Sequence, residues 1–142
     1  LLMSAAGKLQ KHSKVLFIDS ANRFNPHLLR TLFTENIVEL LQNILVARPF
    51  TAYQLKEVIL SLKTTIKTTQ AKALIISSID KLCPEFEKAE LPYLLPLLLN
   101  EINALTRQYN LITIIGSTLP NDLEHQNIHK IIKKKVDQIY MV

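Results

Sequence analysis

Two aspartates stand where short apolar runs give out. Asp19 closes Val15-Leu16-Phe17-Ile18, and Asp80 follows Leu74-Ile75-Ile76-Ser77-Ser78-Ile79. A carboxylate at the end of a buried strand can activate a water or hold a hydrated divalent cation. More commonly it accepts the backbone hydrogen bonds of the turn that follows, and that role is expected of Asp19. Asp80 lies three residues beyond Ser77, which should carry it out of the strand and down a loop, away from any cation held at the strand end. Cys83 is the single cysteine. As a nucleophile it would need a neighbouring base and a depressed pKa; no Cys-His spacing offers either, so an inert loop or core thiol is expected. His12, His27, His125 and His129 lack compact metal-ligand spacing. His125 and His129, four apart, can share a helical face, but no third ligand accompanies them, and solvated or capping histidines are the expectation. With only Gly7 and Gly116, the chain has no glycine-rich phosphate loop of its own. No catalytic, nucleotide-binding or metal-ligating residue is therefore assigned, and no cofactor is expected.

The basic stretch His129-Lys130-Ile131-Ile132-Lys133-Lys134-Lys135 is the surface feature that points to a partner. Lys130, Lys133, Lys134 and Lys135 at one edge can neutralise phosphates and make binding steeply salt-dependent. A lysine-rich turn beside an edge strand also serves as an anti-aggregation device. The chain has no tryptophan, and no aromatic residue interleaves the lysines to stack on bases. Both readings stay open. The formal charge of +5 and pI near 9.4 agree with an acidic partner without requiring one.

These residues need a scaffold, and 142 residues suit one domain with a sizeable core. A content of 48% apolar and 20% charged residues is globular and excludes a disordered polyelectrolyte. A lone cysteine cannot form an internal disulfide, which favours a reducing intracellular setting. The strongest apolar run, Leu91 to Leu99, is interrupted by Pro92 and Pro96 and is too short to span a bilayer, so no membrane partner is expected.

Strand and helix signals alternate along the chain. Strands are predicted over 14–19, 43–47, 72–77, 111–116 and 136–141, the last closing the chain between Val136 and Val142. Leu1, Leu2, Ala5, Ala6 and Leu9 share a helical face, so the chain opens inside a helix. Asn25-Pro26 is a helix start, with a capping side chain and a proline where no donor is needed; that helix should run to about Phe33, and Glu35 to Leu41 should form another. Thr51 and Gln54 make a capping-box pattern before a helix over 52–69, whose Leu55, Ile59, Leu62 and Ile66 face a core. The longest helix is predicted over 91–108, with Pro96 a candidate bend. Residues 78–90 and 117–126 read as loops, and Asn127 to Lys134 as either a short helix or irregular chain. Strands separated by such helices imply an α/β fold with a mostly parallel sheet covered on both faces. Ligands then sit beyond the carboxyl ends of the strands, which selects 19–24, 47–50, 77–81 and 116–120.

Four segments, in order and spacing, resemble the RecA/RadA-type recombinase ATPases. Ile18-Asp19-Ser20-Ala21-Asn22-Arg23-Phe24, with Pro26 and Leu28-Leu29-Arg30, is similar to the segment that follows that family's phosphate-loop helix. Ile44-Leu45-Val46-Ala47-Arg48-Pro49-Phe50-Thr51, with Tyr53-Gln54-Leu55, resembles its next strand and Ala-Arg-X-Phe turn. Ala73-Leu74-Ile75-Ile76-Ser77-Ser78 resembles its magnesium-binding strand, and Ile112 to Thr118 stands where a strand ends in a polar, often Asn-Gln, sensor. The resemblance implies a RecA-like core, and it places Ala21 where the family has its catalytic glutamate and Ser77 where it has its magnesium-binding aspartate. Neither can polarise water or balance a divalent cation. At the sensor place stands Gly116-Ser117-Thr118.

What the resemblance implies is a degenerate RadA paralogue: a pseudo-ATPase that supports homologous recombination or DNA repair by binding DNA, a recombinase or another RecA-like subunit, in the cytoplasm or at the nucleoid. Residues 1–142 would be a single RecA-like domain without the phosphate-loop segment that would precede residue 1. Two alternatives stand beside it: an ATPase fragment whose phosphate loop lies upstream, and a purely structural subunit of a protein complex.

Overall fold

The computed structural model describes residues 1–33, 36–118 and 123–139. The chain forms α1 (Leu2–Leu9), β1 (Val15–Asp19), α2 (Pro26–Leu32), α3 (Ile37–Gln42), β2 (Ile44–Ala47), α4 (Ala52–Thr69), β3 (Ala73–Ser77), α5 (Leu91–Tyr109), β4 (Ile112–Ile115) and α6 (Leu123–Lys133). Two short 3-10 turns, Ile79–Lys81 and Cys83–Glu85, lie between β3 and α5. The fold is α/β, with a four-stranded sheet of order β2-β1-β3-β4 in which every neighbouring pair is parallel.

The two inner strands, Val-Leu-Phe-Ile-Asp and Ala-Leu-Ile-Ile-Ser, are buried at every position, as continuous apolar runs between two helical layers must be. Alternate side chains go to opposite faces. Leu16, Ile18, Leu74 and Ile76 join the core under α4, α5 and α6, while Val15, Phe17, Ala73 and Ile75 join the core under α1, α2 and α3. The outer strands are partly exposed, at Leu45 and Val46 on β2 and at Ile112 on β4.

Helix boundaries follow local chemistry. Asn25 Oδ1 accepts from His27 N at 2.9 Å ahead of Pro26. Thr51 Oγ1 accepts from Gln54 N at 3.2 Å, while Gln54 Oε1 reaches back to Phe50 N at 2.8 Å, one residue further than a simple capping box requires. With so few glycines, α4 and α5 end on left-handed Gln70 (φ 58°) and Asn110 (φ 51°) instead. The face of Leu55, Ile59, Leu62 and Ile66 is buried as its spacing predicts.

The expected fifth strand is not there in the described part of its range. Val136 to Ile139 form no strand, and residues 140–142 lie outside the described residues. The physical reason is visible where α6 ends: Asn103 Nδ2 on α5 donates to Lys135 O at 2.8 Å, and Val136 packs on the core under α5. The chain is thereby tied to the helical layer instead of joining the sheet beside β4. The polar loop expected over 117–126 is shorter, because α6 already begins at Leu123; residues 119–122 of that range lie outside the described residues. Burial of Ile128 and Ile132, four apart, holds α6 against the core and resolves the 127–134 stretch as helix to Lys133.

Candidate functional site

Parallel strands bring all their carboxyl ends to one side. Register pairs Asp19 with Ser77 across β1 and β3, and Ile18 with Ala47 across β1 and β2. Asp19 is fully buried, and its carboxylate takes four donors. Arg23 N donates to Oδ1 and Phe24 N to Oδ2, each at 2.9 Å; Ser77 Oγ donates to Oδ1 at 3.1 Å; and Arg48 Nε meets Oδ2 at 3.2 Å. Arg48 Nη2 also reaches Phe24 O at 3.4 Å. Burial by itself pushes the Asp19 carboxyl up, but the N–H groups of Arg23 and Phe24, the Ser77 hydroxyl and the Arg48 guanidinium together outweigh it, and the group sits below the ordinary 3.8. Asp19 is thus a charged knot that ties three strand ends and the turn through Asn22 (φ 52°).

A second acid does the same on the other side of β3. Asp80 is buried in the 3-10 turn, and both of its carboxylate oxygens accept Thr118 N at 3.2 Å while Oδ2 also takes the Thr118 hydroxyl. Ile79 N donates to Gly116 O at 3.0 Å, and Gly116 N to Ile76 O at 2.7 Å, so the ends of β3 and β4 are laced together. Gly116 is needed for this approach: a Cβ there would come within 3.2 Å of Ser78 N and 2.9 Å of Leu2 Cδ1. Ser78 is itself left-handed, with φ 47°, an uncommon and strained state for a residue bearing a Cβ.

The remaining candidates are placed as follows. Cys83 is buried, its thiol donates to Ile79 O at 3.1 Å, and desolvation followed by the Asp80 charge pushes its pKa up to about 12. His129 on α6 lies with Nδ1 3.4 Å from Ser117 Oγ, which puts the middle of that helix at the end of β4. Among the described residues, no group of three or more His, Cys, Asp or Glu is arranged to hold a metal ion, and no helix is long and apolar enough to cross a membrane. A shallow hollow of about 540 Å³ opens beside Arg48, lined by Phe50, Tyr53, Gln54, Glu57 and Val58.

No protein-family model matches the chain, and no curated protein matches it.

Lys130 and Lys133 stand on α6, with Lys134 and Lys135 just past its end; the first three are exposed and Lys135 is half-buried. None of the four side chains meets an acid among the described residues. They do not sit at the strand ends with Asp19. Asn103, which holds Lys135 O, is one turn before Thr106, and Thr106 Oγ1 meets Thr113 Oγ1 at 2.7 Å on the second residue of β4. Lys130 adjoins His129 at the end of β4, and the run leads from there along α5 to Lys135 beside Asn103. The sequence marked the strand ends but gave no sign that Arg48 and Thr118 would be the partners of Asp19 and Asp80. Those pairings join residues 29 and 38 apart, and the only signal was that all four stand at or just past strand ends.

Proposed function

We propose that the chain is a non-catalytic relative of the RecA/RadA-type recombinases, with a RecA-like core, that supports homologous recombination or DNA repair by binding DNA, a recombinase subunit, or both. The observation that carries the reading is the contact between Ser77 and Asp19. The two segments that resemble the acid-bearing strands of that family lie side by side in parallel register. There, Ser77 donates into the Asp19 carboxylate, and Asp19 is already filled by two backbone N–H groups and Arg48. A carboxylate that accepts four donors has no lone pair free to take a proton from water. Ala21, on the turn past Asp19, supplies none. What is left for the fold is binding, and the exposed Lys130, Lys133 and Lys134 with Lys135 are suited to phosphate contact that is indifferent to sequence.

A second reading, a structural subunit of a complex, is favoured by exposed Leu45 and Val46 on outer strand β2 and by Phe50 and Tyr53 beside it. One experiment separates the two. Purified protein is assayed for phosphate release with magnesium and ATP, with and without DNA, and for DNA binding at two salt concentrations. The recombination reading expects no release above a buffer blank, together with DNA binding whose salt slope falls by up to about 3–4 when Lys130, Lys133, Lys134 and Lys135 are all changed to Gln. Magnesium-dependent turnover that survives stringent purification overturns the non-catalytic part. A quadruple variant that binds DNA as the parent does, with the same slope, removes the lysines from the interface, and absence of DNA binding in the parent leaves the subunit reading.

A further inference from the structure

The two ends of the sheet differ in charge: the carboxyl-end loops mix five acids, Asp19, Asp80, Glu85, Glu87 and Glu90, with four cations, Arg23, Arg48, Lys81 and Lys88. The opposite end of the sheet is built from residues 8–14, 67–72 and 107–111, which carry Lys8, Lys11, Lys14, Lys67, Lys72 and Arg107 and no Asp or Glu. All six basic residues are exposed. They belong to one surface because the strands start together: Val15 pairs with Ala73 and Ala73 with Ile112. The ladder also runs on below the sheet, with Lys72 N donating to Lys14 O at 3.2 Å and Ile112 N to Lys72 O at 2.9 Å. The end of α1 is drawn in through Gln10 Oε1, which accepts from Asn43 Nδ2 at 3.4 Å, and Asn43 O accepts from Val15 N.

Helix polarity explains part of this charge and not the rest. Lys8, Lys67 and Arg107 occupy the last turns of α1, α4 and α5. Each helix C-terminus is worth about half a negative charge, so three of them balance only a minority of the charge on Lys8, Lys14, Lys67, Lys72 and Arg107. The surplus also continues onto α6: Asn103, which holds Lys135 O, is one turn before Arg107 on α5. Between the cations stand exposed His12, Gln108 and Asn110, donors that suit phosphate and sugar oxygens. None of the large exposed apolar side chains falls within the three segments, so nothing in them is available to insert into a lipid surface.

We propose that this face, at the starts of the strands, is a contact surface for the phosphate backbone of nucleic acid, continuous with the α6 lysines. It rests on the DNA-binding reading above and locates that binding opposite the Asp19 knot. The test is fluorescence anisotropy with single-stranded and duplex oligonucleotides at several salt concentrations. It compares the parent, Lys8→Gln/Lys14→Gln/Lys67→Gln/Arg107→Gln, and the four-lysine α6 variant. Lys72 is kept because its Nζ donates to Tyr109 O at 3.4 Å. Expected is at least a tenfold loss of affinity at low salt in the strand-start variant and a salt slope lower by about 3–4, in a protein that stays folded with only the small loss of stability that removing three helix-terminal cations brings. Should that variant not fold, Lys14→Glu and Lys67→Glu, taken singly, carry the same test. A folded variant with parental affinity and slope overturns the surface while leaving the DNA-binding reading in place, as does binding lost in the α6 variant alone. No oligonucleotide binding by the parent removes both. Binding of anionic vesicles in place of oligonucleotides assigns the face to a lipid headgroup surface and overturns the nucleic-acid proposal.

Discussion

Replacing Asp19 by Asn tests the central knot by removing one charge with almost no change of volume. The parent carboxylate serves four donors: Arg23 N, Phe24 N, Ser77 Oγ and Arg48 Nε. Asn keeps one acceptor oxygen and turns an NH₂ toward the other donors, so about two charge-assisted hydrogen bonds are lost, each worth about 1.5–3 kcal/mol. The Arg48 ion pair contributes less, because the Arg48 side chain is 38% exposed and solvent screens it. Asp19→Asn should therefore cost about 3–5 kcal/mol at neutral pH, against about 1 kcal/mol or less for Arg48→Gln. The sign of the pH dependence follows from the lowered pKa. A depressed folded-state pKa stabilises above the unfolded value of 3.8 and stops doing so as pH falls through the lower folded value. Urea unfolding of parent and variant should show a gap that is flat from about pH 5 to 8 and narrows below about pH 4, once the Asp19 carboxylate of the unfolded parent chain takes up a proton that the folded protein still excludes. Other carboxylates titrate in both proteins and cancel in the difference. A folded Asp19→Asn variant within 1 kcal/mol of the parent, or a gap that does not narrow in acid, would refute the knot.

Two further outcomes follow from packing. Cys83 should resist a thiol reagent at pH 8 in the folded protein, at a rate set by unfolding, because its pKa is raised to about 12 and it is buried; rapid stoichiometric labelling without loss of structure would contradict this. Gly7→Ala sets helix propensity against space. Alanine gains about 1 kcal/mol inside a helix, but its Cβ would overlap the Phe33 ring, which packs on the α1–α3 core. Overpacking costs about 1–3 kcal/mol, so the variant should melt at a lower denaturant concentration than the parent, and a higher midpoint would show that Phe33 moves aside freely.

The sequence alone determined the inner strands, the start of α2 and the extent of α4. Each rests on local information: continuous apolar runs for Val15–Asp19 and Ala73–Ser77, a capping side chain at Asn25 and at Thr51, and helical spacing from Leu55 to Ile66. It also placed Asp19 as the acceptor of its own turn, because Arg23 and Phe24 are only four and five residues away. Tertiary structure alone decided what the chain does after α6. Val136 to Ile139 have a strand-like apolar edge, yet the Asn103 to Lys135 hydrogen bond and the packing of Val136 hold them to α5, and neither contact can be read from a window of sequence. The same holds for the partners of the two buried acids. Ser77, Arg48 and Thr118 reach Asp19 and Asp80 only because parallel pairing gathers the strand ends on one side. That pairing also gathers Lys14, Lys72 and Arg107 at the other end, where cations far apart in sequence become one surface.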